Sequence, residues 1–212
     1  MDQIQVQKKN YPLVQPWAFM ATLLVIAAVT ALAPAEQTLG ANLKIIILHG
    51  AWVWTGKIAF GLASLAGLAA LMSRKAAWHS WSLALGRTGM TFWLTYLPMS
   101  LVVMQMNWGG FFFDEPRWRV PFTFAVVGVL LQIAYLFLNQ PIVSSVGNLL
   151  FGVGLWWSLG EITNVLHPDA PIAQSNSLRI QIFYVILLGL GLLAGAQITL
   201  WWRKRAQESR AA

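Results

Sequence analysis

The chain contains no cysteine among its 212 residues. Disulfides, thiolate metal sites, thiol exchange and attachment of a cofactor through its own thiols are therefore excluded. Charge is almost as scarce. Asp, Glu, Lys and Arg make up 10% of the residues, against about 25% in a soluble domain. There are only 7 acidic residues and 3 histidines. No nucleotide-binding glycine loop, Ser-His-Asp constellation or helical His-Glu metal motif occurs. No long polar stretch offers a soluble domain either: the longest polar connection, residues 73–87, still holds Trp78 and Trp81.

What fills the space is apolar. The chain is 58% hydrophobic, its mean hydropathy is +0.61, and it carries 12 tryptophans. Its formal net charge of +7 does not point to nucleic acid, because the basic residues sit at the ends of apolar runs, where they set membrane orientation. A spanning helix needs about 20 mostly apolar residues. Six segments qualify, at 17–34, 44–72, 88–106, 120–138, 143–166 and 179–202. The expected fold is therefore all-α: one polytopic integral membrane domain over residues 1–212, with six transmembrane helices. Ala31-Leu32-Ala33 resembles a signal-peptidase site, but Pro34 directly after it disfavours cleavage, so 17–34 reads as an uncleaved span.

Six spans put both termini on one side. That side holds Lys8, Lys9, Arg74, Lys75, Arg87, Arg203, Lys204, Arg205 and Arg210; the other holds Lys44, Arg117, Arg119 and Arg179. The bias predicts cytoplasmic termini. Connections 35–43, 107–119 and 167–178 then face outward, and Arg117 and Arg119 run against the rule.

The outward side also collects the unusual residues. "KIIILHGAWVW" (44–54) places His49 about one turn inside the second span, with Trp52 three positions on. "NWGGFFFDEPRWR" (107–119) groups Trp108, Phe111, Phe112, Phe113 and Trp118 around Gly109, Gly110, Asp114, Glu115 and the two arginines. "WWSLGEITNVLH" ends in His167. Two imidazoles and a planar aromatic shelf are what a haem site requires, and Arg117 or Arg119 could pair with propionates. Zinc is less well matched, since nothing in a zinc site demands so many rings. Plainer roles exist for each residue. Interfacial aromatics serve as an anchoring belt, Arg117 and Arg119 could pair with Asp114 and Glu115, and His167 before Pro168 could end its helix. His79, among Trp78 and Trp81, reads as a cytoplasmic surface residue. Lys57 and Glu161 both fall inside spans, where ionisable groups are costly and usually paired or functional. Pairing with each other is the expectation, with an ion pathway as the alternative.

These stretches resemble a known family. "LKIIILHGAWVW" is similar to the histidine-bearing second span of the CcmC-like haem-handling proteins of cytochrome c maturation, the WWD-type cytochrome c assembly proteins. "NWGGFFFDEPRWR" resembles an eroded form of their signature W-G-x-W-W-x-W-D-x-R, and "WW…ITNVLHP" resembles their second histidine region. The likeness runs from about residue 40 to 200. It implies haem b held noncovalently at the outer membrane face, with His49 and His167 as axial ligands. The platform it implies comprises Trp108, Gly109, Phe111, Phe112, Phe113, Asp114 and Arg117; Trp52, on the same helical face as His49, is a further cofactor-binding candidate by its spacing. It also implies partners, a haem chaperone and ABC transporter subunits, a bacterial-type cytoplasmic (inner) membrane location, and no bond-making chemistry. Three phenylalanines stand where the family has tryptophans, and Glu115-Pro116 replaces one residue before the arginine. Phenylalanine keeps a stacking face but lacks the indole N–H. These departures raise a second reading, a six-span scaffold subunit of a larger respiratory or photosynthetic membrane complex that no longer binds haem. A third is a small transporter using Lys57 and Glu161.

Overall fold

A computed structural model of the chain describes residues 12–163, 166, 172 and 174–211. After a short 3-10 turn, Pro12–Val14, come six helices: α1 (Pro16–Leu32), α2 (Leu43–Ser73), α3 (Ala76–Trp108), α4 (Pro116–Leu138), α5 (Pro141–Gly160) and α6 (Leu178–Ala211). Their ends follow from local chemistry. Prolines 16, 116 and 141 open α1, α4 and α5, at the one turn where a missing N–H costs nothing and the fixed φ favours the helix. Arg74, Gly109 and Asn139 close α2, α3 and α4 in the left-handed conformation. Each returns its N–H to a carbonyl of the last turn: Ala70, Gln105 and Tyr135 respectively.

Three boundaries differ from the sequence reading by six residues or more, one of them the end of α6, which runs to Ala211 rather than 202. Residues 76–87 are not a polar connection but the first three turns of α3. Hydropathy scores preference for lipid, and Lys75, His79 and Arg87 lower it without interrupting a helix. The fifth helix stops at Gly160, six residues before the predicted end, so Glu161 lies beyond it as an exposed cap.

Helices α2, α4, α5 and α6 are long and apolar enough to cross a membrane, and α1 is a shorter apolar helix. Leu130, Leu136, Phe137, Leu150 and Val185 are exposed, as expected of a surface that meets lipid tails rather than water. The interior is correspondingly made of small and hydroxyl-bearing residues. Along α2, the central helix, Ala51, Thr55, Ala59, Ala63, Ala66, Gly67 and Ala70 are buried. That stripe lets neighbouring backbones approach, which in lipid supplies the packing and hydrogen bonds that hold helices together. Helix α2 packs against α3, α5 and α6, while α1 lies on α6 and α4 leans on α3 and α5. Two apolar clusters result. Ile26, Ile47, Phe92 and Leu187 join α1, α2, α3 and α6, and Phe60, Trp93, Ala125 and Leu155 join α2, α3, α4 and α5.

Polar contacts pin the seams. Asn148 Nδ2 donates to the Ser82 carbonyl at 2.9 Å, and Ser64 Oγ donates to the Asn148 carbonyl at 2.9 Å, tying α5 to α3 and α2. Thr88 and Thr199 share a hydrogen bond of 2.8 Å between α3 and α6. His79, expected at the surface, is half-buried and bonded through Nδ1 to Ser145 Oγ at 2.7 Å, so it joins α3 to the start of α5. At the opposite end Lys44 Nζ donates to the Ala31 carbonyl at 2.6 Å. This places a cation on the negative end of α1.

Candidate functional site

One face of α2 presents Ile46, His49, Gly50, Val53, Trp54 and Lys57 to a cavity of about 580 Å³. Their spacing, three and four residues apart over three turns, is a single helical stripe. Helix α3 supplies the facing stripe, Trp93, Tyr96, Ser100, Val103, Met104 and Trp108. Glu115, Arg117 and Pro121, at the start of α4, and Tyr184 and Leu188 of α6 complete much of the wall. The volume falls within the roughly 300–1,000 Å³ usual for small-molecule and cofactor sites.

Proline 121 explains how α4 reaches the cavity. It has no N–H for the Arg117 carbonyl four residues back. Tyr96 OH donates to that carbonyl at 3.3 Å. Trp93, completely buried, donates its indole N–H to the Pro121 carbonyl at 2.9 Å. Two wall residues of α3 are thereby fixed by the first turns of α4. His49 lies with its ring 5.2 Å from that of Tyr96.

The charges are distributed unevenly. Lys57 Nζ lies 4.1 Å from the ring centre of Trp54 and 4.6 Å from that of Trp156, while the Trp156 indole donates to the Lys57 carbonyl at 3.2 Å. The expected pairing with Glu161 is thus not what the structure contains: the carboxylate sits past the end of α5, and the ammonium rests on two aromatic faces. Arg117 lines the cavity without a salt bridge to Asp114 or Glu115; among the described residues the salt bridge found is Lys204–Glu208. Glu115 is only 4% exposed. Its Oε2 accepts the Leu166 N–H at 3.1 Å, and its Oε1 has no hydrogen-bond partner among the described residues. Glu115 therefore ties the chain beyond α5 to the start of α4.

The residues expected at the site divide. His49, Trp108 and Arg117 share the cavity wall. Trp52 does not join them: it packs on Phe92 with ring centres 4.6 Å apart and donates to Thr95 Oγ1 at 2.8 Å. Gly109 serves as the left-handed cap of α3, φ 71°, with open space where a side chain would begin, so its role is backbone geometry rather than close approach to a ligand. Phe111, Phe112, Phe113 and Asp114 are exposed and off the cavity wall. With this run turned out of the Gly109 cap, Trp108, Glu115 and Arg117 are the loop residues that line the cavity. His167 lies outside the described residues; its neighbour Leu166 is the one held by Glu115. Sequence reasoning missed Trp93, Tyr96, Met104, Glu115 and Tyr184 as wall residues. The periodic placement of 93, 96, 100 and 104 in α3 was the available signal.

Among the described residues no three His, Asp or Glu side chains converge as a metal site. Among the described residues the imidazole on the cavity wall is that of His49. Comparison with protein-family models and with curated proteins returns no match.

Proposed function

We propose that the chain is a haem-handling membrane protein of the cytochrome c biogenesis type, binding haem b noncovalently in the cavity beside His49. The observation that carries this reading is the composition of one wall set: an imidazole, the rings of Trp93, Tyr96 and Trp108, and the cations Lys57 and Arg117 around a cofactor-sized space. That donor set suits one axial position, a flat apolar macrocycle and acidic side arms. His167 enters as the second ligand on the strength of the family resemblance. Haem would supply the metal centre; the chain would orient and hold it, with no bond made or broken. In this reading six spans place both termini in the cytoplasm of a bacterial-type inner membrane. The cavity then opens toward the outer face, where a haem chaperone, working with ABC transporter subunits, would receive the cargo.

Purification in mild detergent from haem-replete cells, with oxidised and reduced visible spectra, tests this directly. The expected result is a haem b spectrum that His49→Ala weakens or abolishes. An unchanged Soret band and haem content in His49→Ala would remove His49 as a ligand. The scaffold reading draws on a different observation, the exposed Phe111–Phe113 run, which offers an apolar surface to a partner subunit. Isolation of a stoichiometric, haem-free chain within a stable membrane complex would favour it.

A further inference from the structure

Among the described residues no carboxylate forms an ion pair with Lys57. It lies eight residues inward from His49 along α2, about 12 Å at 1.5 Å per residue. An ionisable group at that depth in a spanning helix is expensive, and is kept there by a partner or by a function. Its described neighbours are the Trp54 and Trp156 ring faces. Among the described residues the wall's charged side chains besides His49 are Lys57, Arg117 and Glu115, two basic groups and one acid. That acid gives one of its oxygens to the Leu166 N–H, near the end of the cavity formed by the start of α4. Side chains of a helix lean toward its N-terminus. The Lys57 ammonium accordingly sits over Trp54, which lies closer to His49 along α2.

We propose that Lys57 anchors an acidic group of the cavity's occupant: a carboxylate on a flat aromatic ligand binds the ammonium while the ring system lies between His49 and Lys57. This rests on the reading of the cavity as a porphyrin site and adds to it the requirement for a free acid. The two tryptophans hold the ammonium in place without neutralising it. A carboxylate arriving there gains a charge-assisted hydrogen bond shielded from water. A neutral ester of the same shape gains the ring contacts alone.

The test uses purified full-length protein in mild detergent, titrated with metal-free protoporphyrin IX and with its dimethyl ester, and read by porphyrin absorbance and tryptophan quenching. Wild-type protein is expected to bind the diacid about tenfold or more tightly than the diester, the size of one hydrogen bond to a charged group. Lys57→Met brings the diacid down to the diester's affinity and leaves the diester unchanged, whereas Lys57→Arg keeps the preference. An undiminished acid preference in Lys57→Met overturns the inference, as does failure of wild-type protein to bind either porphyrin. Haem b, titrated into wild-type and His49→Ala protein, separates this from the haem reading. Haem bound no more tightly than the metal-free diacid, and indifferent to His49→Ala, removes the haem reading. The acid anchor survives that result if the preference still depends on Lys57.

Discussion

Gly152 is a position where a single methyl group should be costly in the frame that holds the cavity. It faces α2 from the middle of α5, and a Cβ built there falls on the Ser64 hydroxyl and 2.9 Å from the Phe60 carbonyl oxygen. The serine can rotate; the carbonyl belongs to the α2 backbone and cannot. Ordinary contact begins at 3.4 Å, so α2 and α5 must part by about half an ångström along a seam of small residues. Overpacking of this kind costs about 1–3 kcal/mol. Displacing Ser64 also breaks its bond to the Asn148 carbonyl, worth roughly 0.6 kcal/mol by the average for such bonds in lipid. Gly152→Ala is therefore expected to destabilise the protein by about 2–3 kcal/mol. Ser64→Ala alone should cost about 0.6 kcal/mol. In the Gly152→Ala background it should instead recover about 1 kcal/mol, because the hydroxyl is then an obstacle. Detergent-to-SDS unfolding followed by tryptophan fluorescence measures all three. A wild-type midpoint for Gly152→Ala, or simple additivity in the double variant, would refute the close approach of α2 and α5.

Other consequences can be checked independently. Glu115→Leu removes the acceptor of the Leu166 N–H and should lower that amide's protection from hydrogen exchange by about 1–3 kcal/mol; unchanged protection would dissociate the two segments. Replacing Phe111, Phe112 and Phe113 together by alanine should leave porphyrin affinity within about threefold, since these rings stand off the cavity wall. A large loss would restore them as a platform. The absence of native cysteine makes single-cysteine labelling clean. Phe112→Cys should react with an impermeant maleimide added outside intact cells, and Arg74→Cys only after lysis; the reverse pattern would invert the orientation.

Much of the framework was legible because its causes are local. Prolines 16, 116 and 141 mark helix starts wherever the rest of the chain lies, and apolar length separates spans from connections. The start of α3 was not legible by that route, because a hydropathy scale reports solvent preference and is silent on whether a polar stretch stays helical. The end of α5 was missed for a related reason. "GEITN" continues the apolar trend in part, yet the helix ends at Gly160 and leaves Glu161 exposed as its cap.

The site divides along the same line. His49, Trp108 and Arg117 stood out in the sequence because polar or indole side chains near a membrane boundary demand a reason, and all three face the cavity. Spacing alone could not choose between the residues at +3 and +4 from His49. Both lie within a turn, but on opposite flanks, and the packing of α3 assigned Trp52 to Phe92 and Thr95 and left Val53 and Lys57 on the open side. The phenylalanine run shows the converse. Its composition promised a stacking surface, but the backbone decides where a loop points, and the left-handed turn at Gly109 followed by the helix start at Pro116 directs residues 111–114 away from the cavity. Membrane character and helix count follow from residue chemistry summed along the chain. Which charges and rings meet depends on how neighbouring helices turn their faces, and that is a property of the packed bundle.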